Sequence, residues 1–102
     1  MIKIVIKTDE STKTITSIEV KGHANSAEYG KDLVCAAVSA IITGGANALT
    51  EDIYDIELKE GYSLIKANKI PGDNDAVVLK TMEVQLKTVE EVEGKFIKIE
   101  NF

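Results

Sequence analysis

The sequence predicts an α+β fold: a single domain built on an antiparallel-rich sheet of about five strands, with two helices on one face, in the order ββαββαβ. Three observations carry this prediction. The chain opens on MIKIVIK, in which Ile2, Ile4 and Ile6 alternate with Lys3 and Lys7 at the period of a half-buried strand. Two later stretches, one rich in small apolar residues after Asp32 and one repeating Val78, Leu79, Met82, Leu86 and Val89, carry helical spacing instead. A length of 102 residues fits one domain that buries roughly two-thirds of its unfolded surface around one core.

Met1–Lys7 is the first strand and Thr8–Lys13 is polar turn material. Thr14–Val20 resumes as a strand, with Thr16, Ile18 and Val20 alternating against Ser17, Glu19 and Lys21, so the pair reads as a hairpin. It delivers Gly22 and His23 at a strand end, where a glycine permits a sharp exit without a Cβ clash. Residues Asn25–Gly30 form the loop that must fold back if His23 is to approach Cys35; an ordinary strand-to-helix connection is the alternative. Leu33–Leu49 is the central helix, with Asp32 as its N-cap. Its Ala36, Ala37, Ala40, Gly44, Gly45 and Ala48 give a small-residue surface that another element can approach closely. The two glycines cost roughly 1 kcal/mol each relative to Ala, so close packing or a bend is expected to compensate.

Ile53–Lys59 and Tyr62–Asn68 read as a second hairpin joined by Glu60-Gly61. Lys69–Asp75 holds the only Pro, and Asp73 or Asn74 is expected to cap a second helix running to about Glu91. Lys95–Phe102 closes the sheet.

Composition excludes several functions. The net charge is −5 and the basic residues are all Lys, which argues against a nucleic-acid surface built on phosphate neutralisation and bidentate base readout. A basic protein partner is favoured by the same balance. One Cys excludes an internal disulfide, and one His beside it leaves no zinc ligand set, so no metal or cofactor is expected. No apolar run reaches the roughly 20 residues that span a bilayer, so no membrane role is expected and a cytoplasmic location is.

The chemistry centres on that single His and single Cys, His23 and Cys35, twelve positions apart across the Asn25–Gly30 loop. Cys35 falls in the first turn after Asp32, where backbone N–H groups and the positive dipole end favour an anion such as a thiolate. Its bland alternative is a small core residue next to Ala36, Ala37 and Val38, and His23 alone could cap a strand end. Glu28, Tyr29 and Gly30 in the loop are candidate substrate contacts, as is Ser39, one turn beyond Cys35. A redox-sensing thiol and a non-catalytic binding module are the competing classes.

Gly22-His23-Ala24, followed by Gly30, Asp32, Val34, Cys35, Ala36 and Ser39, resembles the two motifs of the ribosomal-processing cysteine proteases, a family of small bacterial enzymes. The resemblance extends over chain length, the strand before the first motif and the late segment Leu79–Glu91, with no departure at the motif positions. It implies that His23 and Cys35 are the catalytic pair, that Asp32 assists, and that the enzyme is a homodimer. The implied substrate is the N-terminal extension of the twenty-seventh large-subunit ribosomal protein. In that reading Cys35 attacks a peptide carbonyl, His23 moves the proton, and first-turn N–H groups including that of Cys35 stabilise the oxyanion. Asp32 then doubles as helix cap and as a support for the imidazolium.

Overall fold

The computed structural model describes residues 1–24 and 32–102. Its elements are β1 (Ile2–Thr8), β2 (Ile15–Lys21), α1 (Leu33–Ala48), β3 (Tyr54–Lys59), β4 (Tyr62–Ala67), α2 (Asp73–Glu93) and β5 (Ile97–Asn101), the predicted order. The strands form one sheet in the order β3-β4-β2-β1-β5. Every neighbouring pair is antiparallel except β1 and β5, which run parallel and make the sheet mixed.

Alternation in β1 puts Ile2, Ile4 and Ile6 on one face, each almost fully buried, while Lys3 and Lys7 stay in solvent. Ile18, Val20, Ile65 and Ile97 complete that apolar face. Val34, Val38 and Ile42 of α1 and Leu79, Met82 and Leu86 of α2 join the same cluster, so both helices pack on one side of the sheet. Burying such side chains is worth about 1.5–3 kcal/mol each, which is why two amphipathic helices of modest intrinsic propensity settle here.

Two local expectations are corrected. In β2 the inward residue is Ile15, 6 % exposed, and not Thr16, because the β1–β2 register shifts between Lys7 and Thr8 and pairs Thr8 with Ile15. The extra residue flips the alternation upstream of Ser17, as a bulge does. At α2 the N-cap is Gly72 without a side-chain cap bond, and Asp73 is already the first helical residue. The acidic residue that matters there is Asp75, 4 % exposed, which accepts from Thr50 N at 3.2 Å, Thr50 Oγ1 at 3.1 Å and Tyr54 OH at 2.8 Å. This carboxylate joins the start of α2 to the stretch between α1 and β3.

The two helix glycines divide the expected roles. A Cβ on Gly45 would run into the side chain of Met82 on α2, so this glycine sets the close approach of the helices. A Cβ on Gly44 would meet nothing within 4 Å. On β3, Ile56 and Leu58 remain 42 % and 46 % exposed although their partners in register, Ile65 and Ser63, lie on the helix-bearing side of the sheet. The β3–β4 hairpin therefore stands beyond the cover of α1, and the space between them is the site described next.

Candidate active site

Strand β2 runs out at Lys21 into Gly22, whose φ of +92° is a conformation that side chains resist. A Cβ there would also lie 2.5 Å from the Met1 carbonyl oxygen. The Gly22 N–H donates to the Gly61 carbonyl at 2.9 Å, so the strand end is fastened to the β3–β4 turn. The sharp exit expected of Gly22 is thus present, and His23 follows it directly.

Opposite, α1 begins as the sequence predicts. Asp32 is the N-cap, and its Oδ1 accepts from the backbone N–H groups of Val34 and Cys35, both at 3.1 Å. That bond revises one expectation: the Cys35 N–H points at the cap carboxylate and is not free to meet an oxyanion. The thiol itself is half-buried, and its Sγ accepts from Ala24 N at 3.3 Å. Ala24 is 3 % exposed, so this contact seals the segment after His23 against the first turn of α1. It also sets an N–H dipole at the sulfur, where negative charge would develop.

His23 is exposed, and its imidazole lies against the turn glycine: a Cβ built on Gly61 would fall 2.9 Å from Nε2 and 3.4 Å from Cε1. Among the described residues, the hydrogen-bond partner of Cys35 Sγ is the Ala24 amide and not the imidazole. Both side chains nevertheless face one cavity of about 720 Å³, together with Asp32 and Ser39. Cys35, Ser39, Ile42 and Thr43 supply its helical wall, and Leu58 to Ser63 of the hairpin supply the facing one. A volume of this size accepts several residues of an extended peptide or a drug-sized ligand. Glu28, Tyr29 and Gly30 lie outside the described residues.

The hairpin wall is what sequence reasoning missed. Tyr62 lines the cavity and donates its hydroxyl to Glu19 Oε2 at 2.8 Å; this bond, above all, raises the phenol above its ordinary value. The usable signal was the pairing of Lys21 with Tyr62, which sets Gly22 and His23 beside the Glu60-Gly61 turn, but that pairing is a property of strand order. Among the described residues, no cluster of His, Cys, Asp and Glu could hold a metal ion.

A half-buried cysteine in the first turn of a helix, facing a histidine across a peptide-sized cleft, is an arrangement suited to acyl transfer. A family model for cysteine protease Prp matches residues 1–98. The chain belongs to the Prp family of cysteine proteases. It is 35 % identical over 104 residues to the ribosomal processing cysteine protease Prp of Staphylococcus aureus, covering 97 % of each chain. A crystal structure of the S. aureus protease Prp with a covalently linked product peptide superposes with a TM-score of 0.91 at 33 % identity, over 100 % of both chains. A second S. aureus structure, with a substrate peptide, gives a TM-score of 0.80 at 30 % identity, again over 100 % of both chains. The mixed sheet, the two helices and the element order are those of this family.

Proposed function

We propose that this cysteine protease removes the N-terminal extension of the twenty-seventh large-subunit ribosomal protein, with Cys35 as nucleophile and His23 as general base and acid. The observation that carries the reading is the shared cavity: Cys35, His23, Asp32 and Ser39 all face it, in a fold that matches a relative solved with a peptide covalently attached.

In this mechanism the extension lies along the cleft between α1 and the β3–β4 hairpin. The imidazole stays against the Gly61 turn, and the gap between it and the sulfur closes when substrate is bound, a tightening that many hydrolases complete only then. It takes the thiol proton, and the Cys35 sulfur attacks the scissile carbonyl carbon to form a tetrahedral intermediate. Collapse breaks the C–N bond, His23 returns the proton to the leaving amine, and a thioester remains on Cys35. Water activated by the same imidazole hydrolyses it. Asp32 orients the first turn of α1 and so the sulfur; its carboxylate also favours the imidazolium that forms. Ser39 contributes a hydroxyl to the cleft one turn from the thiol. Glu28, Tyr29 and Gly30 are assigned on sequence grounds as contacts to the extension.

The net charge of −5 favours encounter with a basic ribosomal precursor. The same reading makes the enzyme a cytoplasmic homodimer, which light scattering checks: a species of one 11.1 kDa chain at micromolar concentration contradicts the dimer. The test of function is incubation of the purified protein with the full-length ribosomal precursor, followed by mass measurement. A single cut within the extension is expected. An uncut precursor, or equal cleavage of unrelated unfolded chains, contradicts a dedicated processing role.

A further inference from the structure

The His23 imidazole lies beside a glycine in the β3–β4 turn. Gly61 has φ +78°, and any side chain there would begin 2.9 Å from Nε2, inside van der Waals contact, with Cε1 at 3.4 Å and Cδ2 at 3.7 Å. The nearest ring atom is thus Nε2, flanked by its two bonded carbons. The ring presents its Nε2 edge to the turn, and Nδ1 lies on the side away from it. The turn is itself fixed relative to the histidine, because Gly22 N donates to Gly61 O at 2.9 Å one residue before His23. Lys21 and Tyr62 pair in the ladder immediately behind this bond. Backbone, ring and turn therefore form one unit in which the position of the imidazole depends on the absence of a side chain at residue 61.

We propose that Gly61 is a positioning residue for His23: its bare Cα is the platform on which the imidazole rests by its Nε2 edge, leaving Nδ1 to exchange the proton with Cys35. The proposal rests on the assignment of His23 as the base. A Cβ at this position pushes the ring out of its resting place without touching the thiol, so turnover falls; Gly61 also lines the cleft, so the ring signals and not substrate affinity are the discriminating readout.

The chain has one His, so its ring resonances report on this contact without ambiguity. The experiment compares wild type, Gly61→Ala and Gly61→Asn, the last because Asn tolerates a positive φ while still carrying the Cβ. The measurements are the ring 1H–15N spectrum, kcat and KM on a peptide of the extension, and Tm. Expected are displaced His23 ring signals in both variants and a kcat lowered about tenfold or more, as for other misplaced catalytic groups. The wild-type spectrum should show the tautomer protonated at Nε2. Ring signals that stay in place overturn the proposal, whether or not kcat falls.

Because a positive φ can strain Gly61→Ala by itself, its Tm loss is also measured in a His23→Ala background. A smaller loss there supports the ring contact, and an equal loss attributes the effect to the turn and overturns the proposal. Cleavage that survives His23→Ala overturns the assignment of the base instead, a failure that the spectrum and the Tm comparison keep separate from the contact itself.

Discussion

Gly22 donates its backbone N–H to the carbonyl of Gly61 at 2.9 Å, and through this one bond the strand that carries His23 is held against the hairpin that walls the cleft. Both glycines have positive φ, and both lie where a Cβ would collide, one with the Met1 carbonyl and the other with the imidazole. The hairpin side of the cleft is thus fixed by backbone geometry at these two glycines.

Gly22→Ala should therefore damage fold and function together. The methyl meets a backbone oxygen, and the φ of +92° is strained for Ala, so a loss of about 1–3 kcal/mol is expected in urea unfolding. Wild-type stability in this variant would contradict the geometry.

The adjacent glycines of α1 should respond with opposite signs. Gly44→Ala enters open space and gains helix propensity, for a stabilisation of about 0.5–1 kcal/mol. Gly45→Ala forces the Met82 side chain aside and should destabilise by about 1–3 kcal/mol. Equal shifts in urea midpoint would show that Gly45 is not a packing contact.

Asp75→Ala leaves the Tyr54 hydroxyl and the Thr50 N–H without their acceptor, at an expected cost of about 2–3 kcal/mol. Burial first, and then the hydrogen bond to this carboxylate, hold the Tyr54 phenol well above its ordinary range. Asp75→Asn, which keeps an oxygen acceptor, should lose less. Thermal unfolding of the pair checks the order.

Glu83 supplies the pH dependence. It is 6 % exposed, and burial by itself raises its carboxyl, but hydrogen bonds from Lys80 and Asn101 and the charge of Lys87 outweigh this and hold it below the ordinary value of 4.5. Lys80 Nζ lies at 2.7 Å and Asn101 Nδ2 at 2.8 Å, so the group fastens α2 to the end of β5. A folded-state value below the unfolded one means stability that is present above pH 4.5 and lost as the pH falls through the folded value. Glu83→Gln should unfold about 1 kcal/mol more easily at neutral pH, with the difference closing in acid. A gap that widens in acid would reverse the sign and refute the assignment.

What was legible in the sequence was local. The Asp32 cap, the Gly22 exit and the order of seven elements follow from neighbours in the chain, and the structure carries all three. What was not legible depends on which strands pair. The β1–β2 shift that turns Ile15 inward leaves no mark in an alternation that reads equally well through Thr16. Asp75 reads from the sequence as the end of the Lys69–Asp75 loop, and its role as an acceptor exists only once Thr50 and Tyr54 are folded onto it. The hairpin wall of the cleft follows from β2 lying beside β4, with α1 and β3 intervening in sequence. The Cys35 N–H, expected to face substrate, is taken by the cap that the same sequence signal predicted.

The central claim is that Cys35 and His23 act as one catalytic pair, and its most direct test is cleavage of the extension peptide by wild type, Cys35→Ala and His23→Ala, followed by mass. Expected are a single cut by wild type, none by Cys35→Ala with binding of the peptide retained, and turnover by His23→Ala lowered by several orders of magnitude. Undiminished cleavage by either variant would contradict it.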